Sequence, residues 1–500
     1  MPRHGFVFAL VVACATAAAG APPERAKVGE FEAHGEVGEV AQKGSVQFHA
    51  ERGEYRITAG GENMWGTKDA FHYAWRRLSG DLILTARVTF PEAKGQPHRK
   101  AGWIVRQDLD ADAPYADAVV HGDGLISLQY RLVKGGPTLE ARSAVKAPAT
   151  LRLERTGDLF SLFVSRDGVK FQPAGAVSVP LTDPVHVGLG ATAHDAGGTV
   201  TAVLSRVSLA NPGTVAAAAR VVESNLEVMS IGSGERELVY TTRDHIEAPN
   251  WSRDGRTFLF NSKGRLYSLP REGGQPRLVD TGPADRLNND HGLSPDGKWL
   301  AISHSPKGES IVYVLPAAGG TPRQVTALGP SYWHGWSPDG MTLVYCARRN
   351  GEFDVYAIAT DAENSTEERR LTTAPGLDDG PDYSPDGQII YFNSERTGLM
   401  KIWRMKPDGT QQQQMTSGDE YGDWFAHPSP DGKWLVFLSF DKSVKGHPPN
   451  KDVALRLMPA GGGEPKLLTR LFGGQGTINV PSWSPDSKSV AFVSYRLVKP

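Results

Sequence analysis

The chain has 500 residues, with 54 basic and 56 acidic side chains and a net charge of −2. That near balance argues against a dedicated nucleic-acid binder, which carries a basic excess or stripe. Hydrophobic content excludes global disorder. The 56 glycines and 35 prolines follow no collagen period, so they point to the many tight turns of an all-β architecture.

Arg3 and His4 precede an apolar stretch, Phe6 to Ala13, and then small residues with a cleavage pattern at Ala17-Ala18-Ala19. This predicts a signal peptide over residues 1–19 and a periplasmic or secreted protein. The run is too short to span a bilayer, and no later segment is long enough, so no transmembrane segment is expected. Val11-Val12-Ala13-Cys14 also resembles a lipoprotein box, which makes a lipid anchor at Cys14 the alternative to soluble export. The second cysteine, Cys346, follows Leu343-Val344-Tyr345 in a strand pattern and reads as a small buried hydrophobe rather than a nucleophile.

Residues 25–210 show regular short strands and no helical periodicity. Examples are Leu82 to Val88, Gly102 to Arg106, Ile126 to Tyr130, Thr150 to Arg155, Leu159 to Val164 and Val185 to Gly190. Such spacing predicts a β-sandwich. The order Trp65-Gly66-Thr67, Phe71-His72-Tyr73, Ala101 to Arg106, Ser165 to Val169 and Val187-Gly188-Leu189 is similar to a bacterial concanavalin-like jelly-roll family. The resemblance implies a jelly-roll sandwich and hints at glycans. Asp108, Asp110 and Asp112 imitate a calcium loop, but Ala113 and Val119 stand where its glycine and closing glutamate belong, so a solvated acidic turn is expected. Residues 211–222, with Pro212-Gly213 and Ala216 to Ala219, read as a linker.

From residue 223 to 500 a motif recurs six times. Its copies are Trp251 to Gly255, Leu293 to Gly297, Trp336 to Gly340, Tyr383 to Gly387, Pro428 to Gly432 and Trp483 to Ser487, around a Ser-Pro-Asp-Gly core. The serines lie 42, 43, 47, 45 and 55 residues apart, the period of a four-stranded propeller blade. Pro supplies φ near −65°, Asp bonds its own backbone, and Gly takes the left-handed position, so each copy is a turn between antiparallel strands. One strand follows the last copy. Its missing partners are expected upstream, at Leu226 to Ile231 and Glu237 to Thr241, which closes a ring of six blades from both ends. These repeats resemble the TolB-type propeller family, built on a Trp-Ser-Pro-Asp-Gly core. The expected fold is therefore all-β: a jelly-roll β-sandwich, then a six-bladed β-propeller.

The strand before each turn is usually innermost, so its first residues should open onto the channel mouth. Three before the serine stand Pro249, His291, His334, Pro381, Ala426 and Pro481; five before stand Glu247, Asn289, Tyr332, Asp379, Trp424 and Asn479. Side chains two apart share a strand face, so both tiers are expected on one rim. Asp290, Trp333, Asp378, Asp382, Phe425 and His427 flank them. The candidate ligand-binding set is Glu247, Asn289, His291, Tyr332, Trp333, His334, Asp378, Asp379, Trp424 and Asn479. No cofactor is certain; His291, His334 and Asp379 could share a divalent metal ion. A plain ring of hydrogen-bonded side chains filling the channel is the simpler alternative. The insertion Asp441 to Asp452, with Lys442, Lys445 and His447, reads as a solvated loop or a lid over the channel.

The chain has no Gly-x-Ser-x-Gly elbow, Walker loop or dinucleotide loop. Two functions remain. One is an exported binding protein that takes a glycan or envelope protein at the channel mouth. The other, implied by lyases that resemble this propeller, is a metal-assisted uronate or oligosaccharide lyase with His427 or Tyr332 as base.

Overall fold

The computed structural model describes residues 27–92, 95–143, 145–212, 221–234 and 236–498. The expected signal peptide, Cys14 and most of the expected linker lie outside the described residues.

Two seven-stranded antiparallel sheets form the first half. One runs in the order Ala33–Val37, Phe71–Leu78, Val185–Thr192, Lys100–Arg106, Tyr115–His121, Ile126–Arg131 and Leu139–Arg142. The other runs Gln172–Ser178, Leu159–Ser165, Thr150–Thr156, Leu82–Thr89, Val200–Ala210, Glu54–Ala59 and Ser45–His49. Alternation decides the pairing of faces: Leu82, Leu84, Ala86 and Val88 point inward, while Ile83 between them is exposed. The inward residues of both sheets meet in one core that includes Tyr55, Trp103, Leu128, Leu153, Phe160 and Leu189. Burying such side chains stabilises by roughly 1.5–3 kcal/mol each.

Six blades form the second half. Five are four-stranded antiparallel sheets in simple up-and-down order. The sixth is closed by both ends of the propeller. Ser489–Val498 pairs along its whole length with Val221–Ser230, which pairs in turn with Arg236–Thr242; a bridge between Trp483 and Val490 adds the innermost segment. The ring closure expected from the motif count is present. It ties the last strand to the first without a covalent link, so the ring opens only if a ten-residue pairing is lost.

All six motif turns, four of them Ser-Pro-Asp-Gly, use the same bonds. The serine hydroxyl donates to the aspartate Oδ1 at 2.5–2.6 Å in all six copies. The same aspartate oxygen accepts the backbone N–H two residues on. Hydrogen bonds hold these aspartates below their usual range, the serine's being the largest cause. The motif tryptophan has its own reason. The Trp336 Nε1–H donates to Gly292 O (3.0 Å) and the Trp483 Nε1–H to His427 O (2.9 Å), in each case the preceding blade. These two indoles join neighbouring blades, whereas the Nε1–H of the third motif tryptophan, Trp251, has no acceptor.

The two halves touch along the sandwich strand Gln172–Ser178 and the fifth blade. The Ser178 N–H donates to Asp452 Oδ2 (2.9 Å), and the Arg496 guanidinium lies 5.1 Å from the Phe163 ring centre.

Candidate functional site

The shared-rim expectation fails for a local reason. The first strands of the five four-stranded blades carry register breaks, between Glu247 and Asn250, Leu287 and His291, Trp333 and Gly335, Asp379 and Asp382, and Trp424 and His427. Ala248, Gly380 and Phe425, each four before its serine, sit at φ 57°, 60° and 54°. In four of these strands the break adds one residue to one side of the ladder, which reverses the alternation beyond it; in Leu287–Leu293 it adds two, since Leu287 pairs with His304 and His291 with Ile302. The tier five before the serine therefore faces the mouth, and the tier three before mostly turns away.

A cavity of about 580 Å³ opens at this mouth. Glu247, Asn289, Tyr332, Asp379 and Asn479 line it, as expected; Trp424 does not. From the other tier only His334 reaches it. Its Nε2 stands 3.1 Å from Asp379 Oδ1. Burial works against charge on His334, but the Asp379 carboxylate outweighs it and raises the imidazole. Burial likewise opposes ionisation of Asp379, yet the His334 charge and hydrogen bond hold it down at about 2. Beside the pair, burial pushes Asp290 up to about 6. Asp290 accepts from Asn288 Nδ2 (2.6 Å) and Asn479 Nδ2 (2.5 Å), and the latter also donates to Asn289 Oδ1 (3.1 Å). The mouth is thus a buried ring of carboxylates and amides with one imidazole paired to a carboxylate.

Several sequence candidates lie elsewhere. His291 is 1% exposed, its Nδ1 lies 3.1 Å from Asn289 O, and burial lowers it to about 4. It does not line the mouth cavity. The expected metal trio of His291, His334 and Asp379 is therefore not assembled. Among the described residues, no group of three or more His, Cys, Asp or Glu is placed to hold a metal ion. The residues present do not fit that role. Asp378 is buried against Arg396 (2.7 Å), on the other side of the strand from Asp379. Trp333 is 1% exposed and lines a separate 320 Å³ cavity at the opposite channel end, among the prolines of the turns. His427 is buried between Asp382 Oδ2 (3.0 Å) and Ile478 O (2.8 Å), away from the mouth cavity. Both ring nitrogens are occupied, which suits a channel brace and not the base proposed above. Tyr332 does reach the cavity.

The sequence reading placed His447 on a loop that could lid the channel but left it out of the binding set. The blade-five insertion bends over the mouth, and His447 enters the cavity with Nε2 3.9 Å from Asp379 Oδ2. Its ring meets Trp424 (4.5 Å) and Phe425 (5.1 Å) edge-on, so Trp424 acts from behind as a support. The loop is a partial lid, and its length in the fifth repeat was the available signal. Gln475, on the long link into the sixth blade, also enters and had no signal at all. Cys346 borders the cavity, but it is 2% exposed, and burial holds its thiol well above the usual range. It behaves as the inert small residue expected.

The family model described as "TolB beta propeller domain" matches residues 334–454. An uncharacterized protein of Agrobacterium fabrum (strain C58), Atu1656, is 50% identical over 276 residues, covering 55% of this chain and 93% of that protein. The chain belongs to the TolB-like β-propeller family. A solved structure from Agrobacterium tumefaciens, described as a candidate TolB, shares 50% identity with a TM-score of 0.53, covering 55% of this chain and 99% of that one. The Tol-Pal system protein TolB of Francisella tularensis subsp. tularensis (strain WY96-3418) is 25% identical over 264 residues. This chain spans 58% of that relative's length. Among the described residues, no helix is long and apolar enough to cross a membrane.

Proposed function

We propose that this TolB-like chain is an exported binding protein whose channel mouth receives a polar segment of an envelope protein. The observation that carries it is a set of unsatisfied groups at the mouth. His334 Nδ1, His447 Nδ1 and Asn479 Oδ1 are buried without a hydrogen-bond partner. A buried polar atom left unpaired costs about 1–3 kcal/mol, and a ligand that supplies the missing partner recovers it. The walls suit a peptide: amides and carboxylates alternate with Tyr332, Phe353 and Phe425. A protein partner also agrees with the Francisella relative, which is named as a protein of the Tol-Pal system. A glycan is the competing occupant of the same mouth.

Export rests on residues 1–19, with lipidation at Cys14 as the alternative route; intact mass of the mature protein separates the two. The working division is a concanavalin-like jelly-roll sandwich at 25–210, a linker at 211–222 and the propeller at 223–500. The lyase alternative finds no support in the placement of His291 and His427.

The test is affinity capture from solubilised envelopes, comparing the wild-type protein with a Tyr332→Ala/Asn479→Leu double variant. A protein retained by the first and lost by the second is expected. Equal retention by both would remove the channel mouth from the reading. Release of the retained material by a glycan digest, with no protein component, would replace the protein partner with a sugar.

A further inference from the structure

The sandwich carries a buried charge network that holds up one exposed ring. Arg106 and Arg131 are 1% and 0% exposed, and both close on Asp69, itself 3% exposed. Arg131 donates to both Asp69 carboxylate oxygens (2.8 and 2.9 Å), and Arg106 Nη1 donates to Oδ2 (3.3 Å). Lys100, 3% exposed, donates to Met64 O (2.9 Å). Arg131 Nη2 and the Thr138 N–H both donate to Gly66 O (3.2 and 2.8 Å). Every one of these bonds ends on the same small hairpin, Met64–Trp65 paired with Lys68–Asp69. Its turn needs Gly66 at φ 70°.

Burying three cations and a carboxylate is costly, and well-packed apolar residues would serve stability as well or better. What this network does is fix the hairpin. The hairpin's large side chain, Trp65, is nonetheless 40% exposed. Trp65 forms one wall of an open depression of about 1000 Å³, at the upper end of the range for small-molecule sites. Glu62, Asn63, Gln96, Asp112 and Asp195 border it. Asn63 Oδ1 is buried without a hydrogen-bond partner. His194, on the same border, holds a left-handed backbone at φ 55°, a strained conformation that persists only where its surroundings enforce it.

We propose that this depression is a carbohydrate-binding site, in which a neutral pyranose ring stacks on Trp65 and its hydroxyls bond the bordering amides and carboxylates. The chemistry narrows the ligand class. The excess of carboxylates opposes a uronate, sulfate or phosphate ester. A cationic ligand is disfavoured because the Lys100 ammonium already lies 5.2 Å from the Trp65 ring centre on its buried side. A second cation would meet both its charge and a ring already polarised toward it. A neutral ring with one apolar face and a polar rim meets neither obstacle. The site lies in the other half of the chain from the channel mouth and stands independently of the function proposed for it.

The experiment is calorimetric titration of the full chain with neutral tetrasaccharides built on glucose, mannose, galactose and N-acetylglucosamine. Tetragalacturonate and tetralysine serve as charged probes. At least one neutral sugar is expected to bind, at least tenfold more weakly in Trp65→Ala, partly restored in Trp65→Phe and unchanged in Tyr332→Ala. Trp65 is exposed, so its loss leaves the fold intact, and the far-UV spectrum checks this. Three results would overturn the proposal: no neutral sugar binding, binding that ignores Trp65→Ala, or Trp65-dependent binding of a charged probe alone.

Discussion

The sandwich and the propeller mouth bury charge in opposite ways. Around Asp69 every side-chain nitrogen of Arg106 and Arg131 has a protein acceptor. At the mouth, His334 and His447 each keep a ring nitrogen without one, and Asn479 keeps an oxygen. A closed network positions something else, here the Trp65 hairpin. An open network leaves its own groups available. Burial alone therefore does not mark a binding site; the informative quantity is how many buried polar atoms the protein leaves unsatisfied.

The largest effect that would sharpen this contrast is in the sandwich. Asp69→Ala strands two buried guanidinium groups and should destabilise the sandwich by about 3–5 kcal/mol, read as an earlier denaturant midpoint. Asp379→Ala at the mouth should be markedly milder, since His334 can lose its proton and the cavity admits water. Equal losses would break the comparison.

A second test concerns pH. Burial holds Asp290 at about 6, against about 3.9 in an unfolded chain. Between those values the folded state keeps a proton that the unfolded state has released, so this group's contribution falls as pH rises from about 4 to 6. The change is at most about 3 kcal/mol. Asp290→Asn should flatten that part of the stability profile, measured by denaturant titration at successive pH values. An unchanged profile would show that Asp290 is solvated in the folded state.

The smallest effect tests the repeat itself. Ser384→Ala removes the hydroxyl that bonds Asp386 and the Ile389 N–H, and should cost about 1 kcal/mol. The equivalent Ser429→Ala should match it, because the geometry is the same. A large difference between the two would mean that the blades do not share stability evenly.

The propeller was legible almost to the strand. Trp299–His304, Lys401–Met405 and Ser489–Val498 fall where the repeat places them. The sandwich was legible by half. Leu82–Thr89 alternates clearly, but Tyr115–His121 is buried on both faces and carries Ala, Asp and His among its valines, so no alternation marks it. Its polar residues are inside because Lys100 is inside with them, a pairing made by strands adjacent in the sheet.

The amino-acid order determined the six turns, the blade count and the closure of the ring, because each depends on bonds within a few residues or on a repeat visible along the chain. The mouth was decided by tertiary structure. A register break is a relation between two strands, and it differs in place and size around His291 and His334 although their places in the repeat are identical. His447 joined the cavity because a long loop had to fold somewhere, and Trp424 and Phe425 offered it a face. Which buried atoms end without a partner is known only after every neighbour has been placed.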